Sequence, residues 1–222
     1  MKFLISAIAL SLLISTPALS ASKKAKKESS SPWFVQLSLG AVVGSKSAEQ
    51  ALDDLTALGH EITSIDFEQD SLGYIFELGY KFSENWAVTA GYIDFGETTF
   101  NVNSFTGYSE LLIDDINEAA PRYGDGNTYS VIYSYPITDD VIISADAGIL
   151  YLESESVVFI DVGPEGSPVY DEYATSDHSL QYFVGAALEY QYKSARLGIQ
   201  YRHYEINNVG TEWVGARIAY HF

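Results

Sequence analysis

Apolar residues occupy every second position in eight stretches of the chain, and this alternation dominates the sequence. A period of two residues is typical of β-strands, in which successive side chains point to opposite faces. The pattern therefore predicts eight strands, whose apolar rows are Trp33–Val43, Leu72–Phe82, Trp86–Tyr92, Tyr129–Tyr135, Val141–Tyr151, Leu180–Tyr192, Ala195–Tyr201 and Val214–Phe222.

The positions between the apolar residues carry glycine, polar side chains and charges of both signs. Tyr, Trp and Phe are frequent near the strand ends, as they are at the two interfaces of a membrane. We interpret the apolar rows as facing lipid and the polar rows as facing a crowded, hydrogen-bonded lumen. The candidate lumen ion-pair residues are then Glu77, Asp146, Glu189, Arg196, Arg202 and Arg217.

The connections between the rows alternate between short and long. Short turns are predicted at Ser83–Asn85, Pro136–Asp140 and Lys193–Ser194, and long connections at Ser45–Asp70, Glu97–Gly126 and Glu153–Asp177, with a shorter one near Glu205–Glu212. An even number of strands with short periplasmic turns and long outer loops is the plan of bacterial outer-membrane barrels. The predicted fold is all-β: an eight-stranded antiparallel up-and-down transmembrane β-barrel with short periplasmic turns and long outer loops.

The N-terminal residues predict export. Residues 1–20 combine Lys2, an apolar run and small residues near Ser20, which is typical of a secretory signal peptide. Residues 21–31 carry four lysines and are predicted to be a disordered basic segment, with an anion-binding arm as the alternative. Residues 32–222 form the predicted barrel, and the expected location is the outer membrane of a Gram-negative cell.

Charge and composition exclude several classes of partner and chemistry. Twelve Lys and Arg face thirty Asp and Glu, which argues against a nucleic-acid partner. The chain has no cysteine, so disulfides and thiolate chemistry are excluded. Twenty-two of the acids fall in the predicted outer connections, opposed there only by Lys46 and Arg122. They are interpreted either as a solvated surface, or as sites for divalent cations shared with lipopolysaccharide or for a cationic partner.

Two outer connections contain helical patterns. Ser47 and Gln50 form a capping-box pair before an apolar face, and Gly59 is suited to end that helix. A second helix is predicted between Ser109 as cap and Pro121 as stop. We expect both apolar faces to pack onto the barrel mouth, with a partner-binding face as the alternative.

Several segments, taken in order, resemble the OmpA-type transmembrane domain family. They are "LGYIFELGYKFSENWAVTAGYIDFG" (Leu72–Gly96), "YPITDD" (Tyr135–Asp140), "GAALEYQY", "ARLGIQY" and "IAYHF". The resemblance implies that the C-terminal strand, through Tyr220 and Phe222, is the signal recognised by the outer-membrane assembly machinery. The family's peptidoglycan-binding domain is not expected in this chain, because the sequence ends with the predicted last strand.

The resemblance carries over to the lumen only in part. Glu189 and Arg196 match the family's sixth-strand glutamate and seventh-strand arginine. Thr89 and Ile132 stand where the family has a glutamate and a lysine, so half of its ion-pair network is missing. The family's narrow gated passage therefore remains an alternative function rather than the first expectation.

An enzyme acting on outer-membrane lipid is the second alternative. His203, in "YRHYEINN", lies where lipid A deacylases carry His-x-Ser-Asn, but Glu205 replaces the serine. Nucleophilic catalysis needs a nucleophile beside a base, so we interpret His203 as an interfacial residue. His60 and His178 are expected to be solvated, and no catalytic residue, cofactor or metal site is predicted.

The predicted function is therefore non-enzymatic: envelope integrity, or surface interaction through acidic extracellular loops. The expected partners are outer-membrane lipid and lipopolysaccharide, the assembly machinery and divalent cations. We expect the protein to be a monomer.

Overall fold

The computed structural model describes residues 31–67, 70–96, 98–104, 110–119, 123–161, 170–206 and 209–222. The predicted signal peptide and nearly all of the basic segment lie outside the described residues. So do Ser109 and Pro121, the predicted ends of the second loop helix, and the loop base Arg122.

Ten strands and two helices make up the described part of the chain. The strands are β1 (Trp33–Gly44), β2 (Ile62–Phe67), β3 (Asp70–Lys81), β4 (Trp86–Asp94), β5 (Thr98–Ser104), β6 (Gly124–Pro136), β7 (Val141–Asp161), β8 (Tyr170–Tyr192), β9 (Ala195–Ile206) and β10 (Val209–His221). The helices are α1 (Ala48–Ala57) and α2 (Glu110–Ala119). Within these described ranges, neither helix is long and apolar enough to cross a bilayer.

Eight of the strands close into an antiparallel barrel, in the cyclic order β1–β3–β4–β6–β7–β8–β9–β10. The first and last strands pair from Phe34 with His221 to Gly44 with Thr211, which closes the sheet. Closure satisfies every backbone hydrogen-bonding group by a neighbouring strand, as a membrane-spanning sheet requires. The predicted eight-stranded barrel is confirmed, and the three short turns fall where they were predicted.

The alternation of faces is also as predicted. On the last strand Val214, Ile218 and Tyr220 are exposed on the outer wall, whereas Arg217 between them is buried inside. Around the barrel, most large apolar side chains of the eight predicted rows are exposed, whereas the opposite face buries polar and charged side chains together with some apolar ones. The exposed apolar rows fit a wall whose outer face contacts lipid.

The bounds of the third long connection and of the shorter fourth connection were predicted wrongly. β7 and β8 pair without interruption from Val141 with Tyr190 to Asp161 with Tyr170, so most of the predicted loop Glu153–Asp177 is strand. The run "VVFI" (157–160) contains β-branched and aromatic residues that favour a strand. In the fourth connection β9 extends to Ile206 and β10 begins at Val209.

Two further strands extend the sheet outside the barrel. β5 pairs in parallel with the outer half of β7, and β2 pairs antiparallel with β5. These strands lie in connections that the sequence analysis treated as loops. Their apolar alternation is short, with Ile65 and Phe67 on β2 and Phe100 and Val102 on β5.

The two loop helices pack against this outer sheet rather than onto the barrel mouth, which corrects the expectation. Ala51 and Leu55 of α1 and Ile116 of α2 are fully buried. Their hydrophobic core also contains Ile65, Phe67, Phe100, Val102, Leu112, Ile113, Ala119, Val158 and Ile160. We call α1, α2, β2, β5 and the outer halves of β7 and β8 the outer subdomain.

The predicted start and end of α1 are confirmed. The side chain of Ser47 accepts from the backbone of Gln50 at 3.2 Å, and Gln50 accepts from the Ser47 backbone at 3.0 Å. Gly59 has φ +95°, a left-handed conformation that disfavours residues with a Cβ, directly after the C-cap Leu58. Local sequence therefore sets the two ends of this helix.

Candidate functional site: the barrel lumen and its outer cover

Arg202 of β9 lies at the centre of the lumen and is completely buried. Its Nε donates to Asp146 Oδ2 at 2.7 Å, and its Nη2 donates to the two carboxylate oxygens of Glu77 at 3.0 and 2.9 Å. The guanidinium also lies over the ring of Phe183, 4.7 Å from the ring centroid. One arginine thus joins carboxylates from β3 and β7 across the barrel.

Glu77 accepts further hydrogen bonds from neutral side chains. The hydroxyls of Thr89 and Thr128 each lie 3.1 Å from its Oε1, and the Gln36 amide donates to its Oε2. A buried carboxylate loses its hydration, so these donors replace the water that it would otherwise bind.

A second group of charges lies nearer the periplasmic end. Glu189 lies 3.4 Å from Arg217 Nε and 3.8 Å from Arg196 Nη1. Arg217 also donates to the amide oxygen of Gln36, which connects this group to Glu77. The result is one continuous path of contacts: Asp146, Arg202, Glu77, Gln36, Arg217, Glu189 and Arg196.

The path is neutral as a whole but electrically polarised. Three carboxylates and three guanidinium groups balance. In the central group two carboxylates share Arg202, whereas near the periplasm two arginines share Glu189. The structure thus brings all six lumen residues from the sequence analysis into ion pairs.

Space for the central pair depends on a glycine. A Cβ on Gly185 of β8 would lie 2.7 Å from Arg202 Cγ and would also meet Asp146. Glycine on the inner face therefore leaves room for long side chains from neighbouring strands.

Apolar side chains close the lumen on both sides of the charged path. On the periplasmic side Phe34, Ala87 and Ile132 form a buried cluster, and Phe34 stacks on His221 with ring centroids 5.0 Å apart. On the outer side a larger core contains Val42, Ile75, Ile93, Phe95, Tyr123, Leu150, Leu152, Phe183, Tyr204, Ile206 and Trp213. Buried apolar side chains thus lie on both sides of the charged path in the barrel interior.

Two departures from the family pattern have a structural explanation. Thr89 donates to Glu77 and lies 2.7 Å from the Ser130 hydroxyl, so hydroxyl groups occupy the place of a charged side chain. Ile132 belongs to the periplasmic apolar cluster rather than to the ion-pair path. Sequence reasoning placed Gln36 and Thr89 on the inner face but did not identify them as partners of Glu77. Strand parity gives the face of a residue, not its partner across the barrel.

The outer subdomain has polar links of its own. His60 Nε2 lies 2.6 Å from Asp115 Oδ2, and this contact joins the end of α1 to α2. Only 13% of the His60 side chain is exposed, so the expectation of a solvated His60 is wrong. His178 is half exposed on β8 and stacks on Tyr151, with ring centroids 6.0 Å apart.

His203 lies between two carboxylates near the outer end of β9. Its Nδ1 is 2.9 Å from Glu212 and its Nε2 is 3.6 Å from Glu205. Glu212 also accepts from the Tyr201 hydroxyl. Across the described ranges, no cluster of three or more His, Asp or Glu side chains is arranged to hold a metal ion.

The C-terminal aromatic residues lie on the outer wall. Tyr220 and Phe222 are each about half exposed, and their rings meet edge to face at 5.5 Å. The Phe222 amide donates to the Trp33 carbonyl at 3.2 Å, which ties the chain end to β1.

Comparisons with known proteins give one matching family and several similar solved structures. Residues 35–221 match the family described as the OmpA-like transmembrane domain. The solved structure of Neisserial surface protein A is 15% identical, with a TM-score of 0.50 over 88% of this chain and 100% of that one. The N-terminal β-barrel domain of Pseudomonas aeruginosa OprF is 9% identical, with a TM-score of 0.49 over 87% of this chain and 99% of that one. A search of curated proteins found no match.

Proposed function

This chain belongs to the OmpA-like transmembrane domain family of outer-membrane barrels, and we propose that its barrel holds an acidic outer subdomain at the cell surface. The barrel is the membrane anchor. The outer subdomain is the working part, and its role is surface interaction or maintenance of the envelope.

The observation that carries the proposal is the second hydrophobic core. Twelve buried side chains from both helices and three strands pack together outside the barrel interior. Ordering a chain segment costs conformational entropy, and an apolar core of this kind offsets that cost. A barrel that served only as an anchor would need no such core beyond the membrane.

The charge of the outer subdomain supports an interacting surface. Among its exposed residues, Glu49, Asp53, Asp66, Asp114 and Glu118 are acidic. Lys46, which precedes α1, is paired with Asp54 of that helix at 2.6 Å, so it neutralises one acid of α1. The fitting partners are cationic proteins, or divalent cations that bridge these carboxylates to lipopolysaccharide phosphates.

The filled lumen supports a barrel that does not conduct. Ions would have to cross two apolar clusters and displace the paired charges between them. A narrow passage is therefore the second candidate, favoured only by the charged inner face. The single-channel conductance of the purified protein in planar bilayers separates the two, since our proposal expects no ion-selective steps.

A non-enzymatic role is part of the proposal. His203 contacts the carboxylates of Glu205 and Glu212, an arrangement that holds an imidazole without activating a hydroxyl nucleophile. Unchanged lipid A mass profiles in strains with and without the protein are the expected result.

The test distinguishes the contribution of the outer subdomain to function from that of the barrel. Leu55 is fully buried in the outer core, whereas Leu58, three residues later, is 62% exposed. We expect a Leu55→Asp strain to match a deletion strain in detergent sensitivity and in surface retention of polylysine. A Leu58→Asp strain is the control and should match the wild type.

Both variants should keep the heat-modifiable gel mobility of a folded barrel. Wild-type behaviour of Leu55→Asp, with its outer subdomain cleaved by protease, would show that the subdomain is not the working part.

A further inference from the structure

A groove of about 560 Å³ crosses the outer wall of the barrel between β3 and β7. Its walls include Leu78 and Tyr80 of β3, Val88 and Ala90 of β4, and corresponding residues of β6 and β7. These side chains point away from the lumen, and nearly all of the exposed lining is apolar. The groove therefore opens toward the lipid.

Small side chains in two adjacent rows create the groove. Leu78, Ala90, Tyr129 and Ile149 are successive partners in the strand register, and so are Tyr80, Val88, Val131 and Ala147. The neighbouring rows carry large aromatic residues, with Phe76 and Tyr92 on one side and Trp86 and Tyr133 on the other. The small residues Val88, Ala90, Val131 and Ala147 lie among these larger side chains and leave a depression in the wall.

The groove rises from the periplasmic rim to the middle of the membrane. At its lower end Trp33 meets Tyr80 edge to face at 4.9 Å, an aromatic pair at the level of the lipid headgroups. In its upper part Ala147 and Ile149 lie six and eight residues into β7, which begins at Val141 at the periplasmic turn. Six to eight residues of a tilted strand rise about 15–20 Å, which reaches the middle of a hydrocarbon core of about 30 Å.

We propose that this groove is a binding site for one acyl chain of an inner-leaflet phospholipid. Its course from rim to midplane is the course of such a chain, and its lining offers contacts to hydrocarbon rather than to a headgroup. Lipopolysaccharide occupies the outer leaflet, so its chains approach the groove only at its upper end. The preference over bulk lipid comes from close van der Waals packing, because lipid and groove are equally apolar.

The chain offers a matched test. Ala90 and Ala147 lie in the groove, whereas Ala186 and Ala216 are lipid-facing alanines outside it. We expect Ala90→Phe with Ala147→Phe to lose most of the phospholipid that the wild-type barrel retains in native mass spectrometry from detergent. Ala186→Phe with Ala216→Phe should retain it, since the same volume is added elsewhere on the wall.

The headgroup and chain length of the retained lipid show which part of the lipid the groove binds. Phosphatidylethanolamine and phosphatidylglycerol with equal chains should be retained equally, whereas short-chain analogues should be lost. If the Ala90→Phe/Ala147→Phe protein retains as much phospholipid as the Ala186→Phe/Ala216→Phe control, the groove binds lipid no better than the rest of the wall. That result would overturn the proposal. Retention of lipopolysaccharide, or a dimer formed through this wall, would overturn it as well.

A second measurement does not require the Ala90→Phe/Ala147→Phe protein to fold. Benzoylphenylalanine at Val131, inside the groove, should crosslink to phospholipid in outer membranes more strongly than at Val184, an exposed valine on β8. Equal crosslinking at the two positions would contradict a specific site.

Discussion

At the scale of single residues, Arg202 compensates the negative charges of two carboxylates that are buried in the lumen. Both carboxylates that it contacts are buried, and Glu77 is completely inaccessible. A buried ion pair contributes little net stability compared with apolar residues, because both partners lose their hydration. Removing one partner is different, since the other charge is then buried without compensation.

We therefore predict that Arg202→Met lowers the free energy of unfolding by about 3–5 kcal/mol. Arg217→Leu, also at a buried position, should lower the free energy of unfolding by a smaller amount. The Nε of Arg217 lies 3.4 Å from Glu189, and Glu189 keeps Arg196 as a partner after the substitution. Urea titration of the barrel in lipid vesicles, followed by tryptophan fluorescence, measures both.

The control for these arginine variants is Lys193→Met in a periplasmic turn. Lys193 lies over the Tyr192 ring at 5.2 Å and has no part in the lumen path. Its substitution should change stability by less than about 0.5 kcal/mol. A loss for Arg202→Met no greater than this would mean that the lumen charges are hydrated rather than buried.

The C-terminal Phe222 illustrates a residue whose side chain is not needed for packing. It is 54% exposed, close to the 57% of Phe82, which also faces outward near the periplasmic end. Because the resemblance assigns recognition by the assembly machinery to the last strand, we predict that Phe222→Ser slows insertion whereas Phe82→Ser does not. Pulse-labelling of the heat-modifiable form in cells measures this, and equal kinetics would remove the assigned role.

At the scale of elements, one polar contact joins the two outer helices in addition to their shared apolar core. His60 and Asp115 are both largely buried and lie 2.6 Å apart, so neither side chain can be fully hydrated. The helices themselves are only ten residues long, and helices of that length are marginal without tertiary contacts.

Asp115→Asn should therefore loosen the outer subdomain while the barrel stays intact. The expected loss is about 1 kcal/mol, because the asparagine oxygen can still accept from His60 but carries no charge, and a hydrogen bond to a charged group is worth about that much more than a neutral one. Limited proteolysis of α1 and α2 measures it, with Asp114→Asn as the control because Asp114 is exposed on the same helix. Equal cleavage of the two variants would assign the stability of the helices to their apolar core alone.

At the scale of the whole molecule, negative charge is concentrated in the connections that the sequence predicts to lie outside the membrane. With their predicted bounds they hold 22 acids against Lys46 and Arg122. Screening acts over about 8 Å at physiological salt and relieves such repulsion only in part. Carboxylates are suitable ligands for calcium and magnesium, although the described acids form no dedicated site.

We predict that millimolar calcium or magnesium protects Ser45–Asp70 from a broad-specificity protease, through weak and distributed binding. Sodium chloride at matched ionic strength should protect less, because it screens without bridging carboxylates. If sodium protects equally well, screening alone explains the effect and cation bridging is excluded.

The sequence by itself determined the barrel, because each strand carries its own evidence. A period of two residues places Val214 on one face and Arg217 on the other, whatever the neighbouring strand is. The capping box at Ser47 and the glycine at position 59 are equally local, so α1 was predicted correctly at both ends. The six lumen charges could be placed on the inner face for the same reason.

Only the tertiary structure decided which of these groups meet. Arg202 contacts Glu77, 125 residues away in the chain, and no local pattern encodes such a pairing. The outer halves of β7 and β8 are strands because β5 joins β7 there and the helices cover the resulting sheet. Short segments such as Thr98–Ser104 have too little alternation to specify a strand alone, so they take the conformation that long-range packing stabilises.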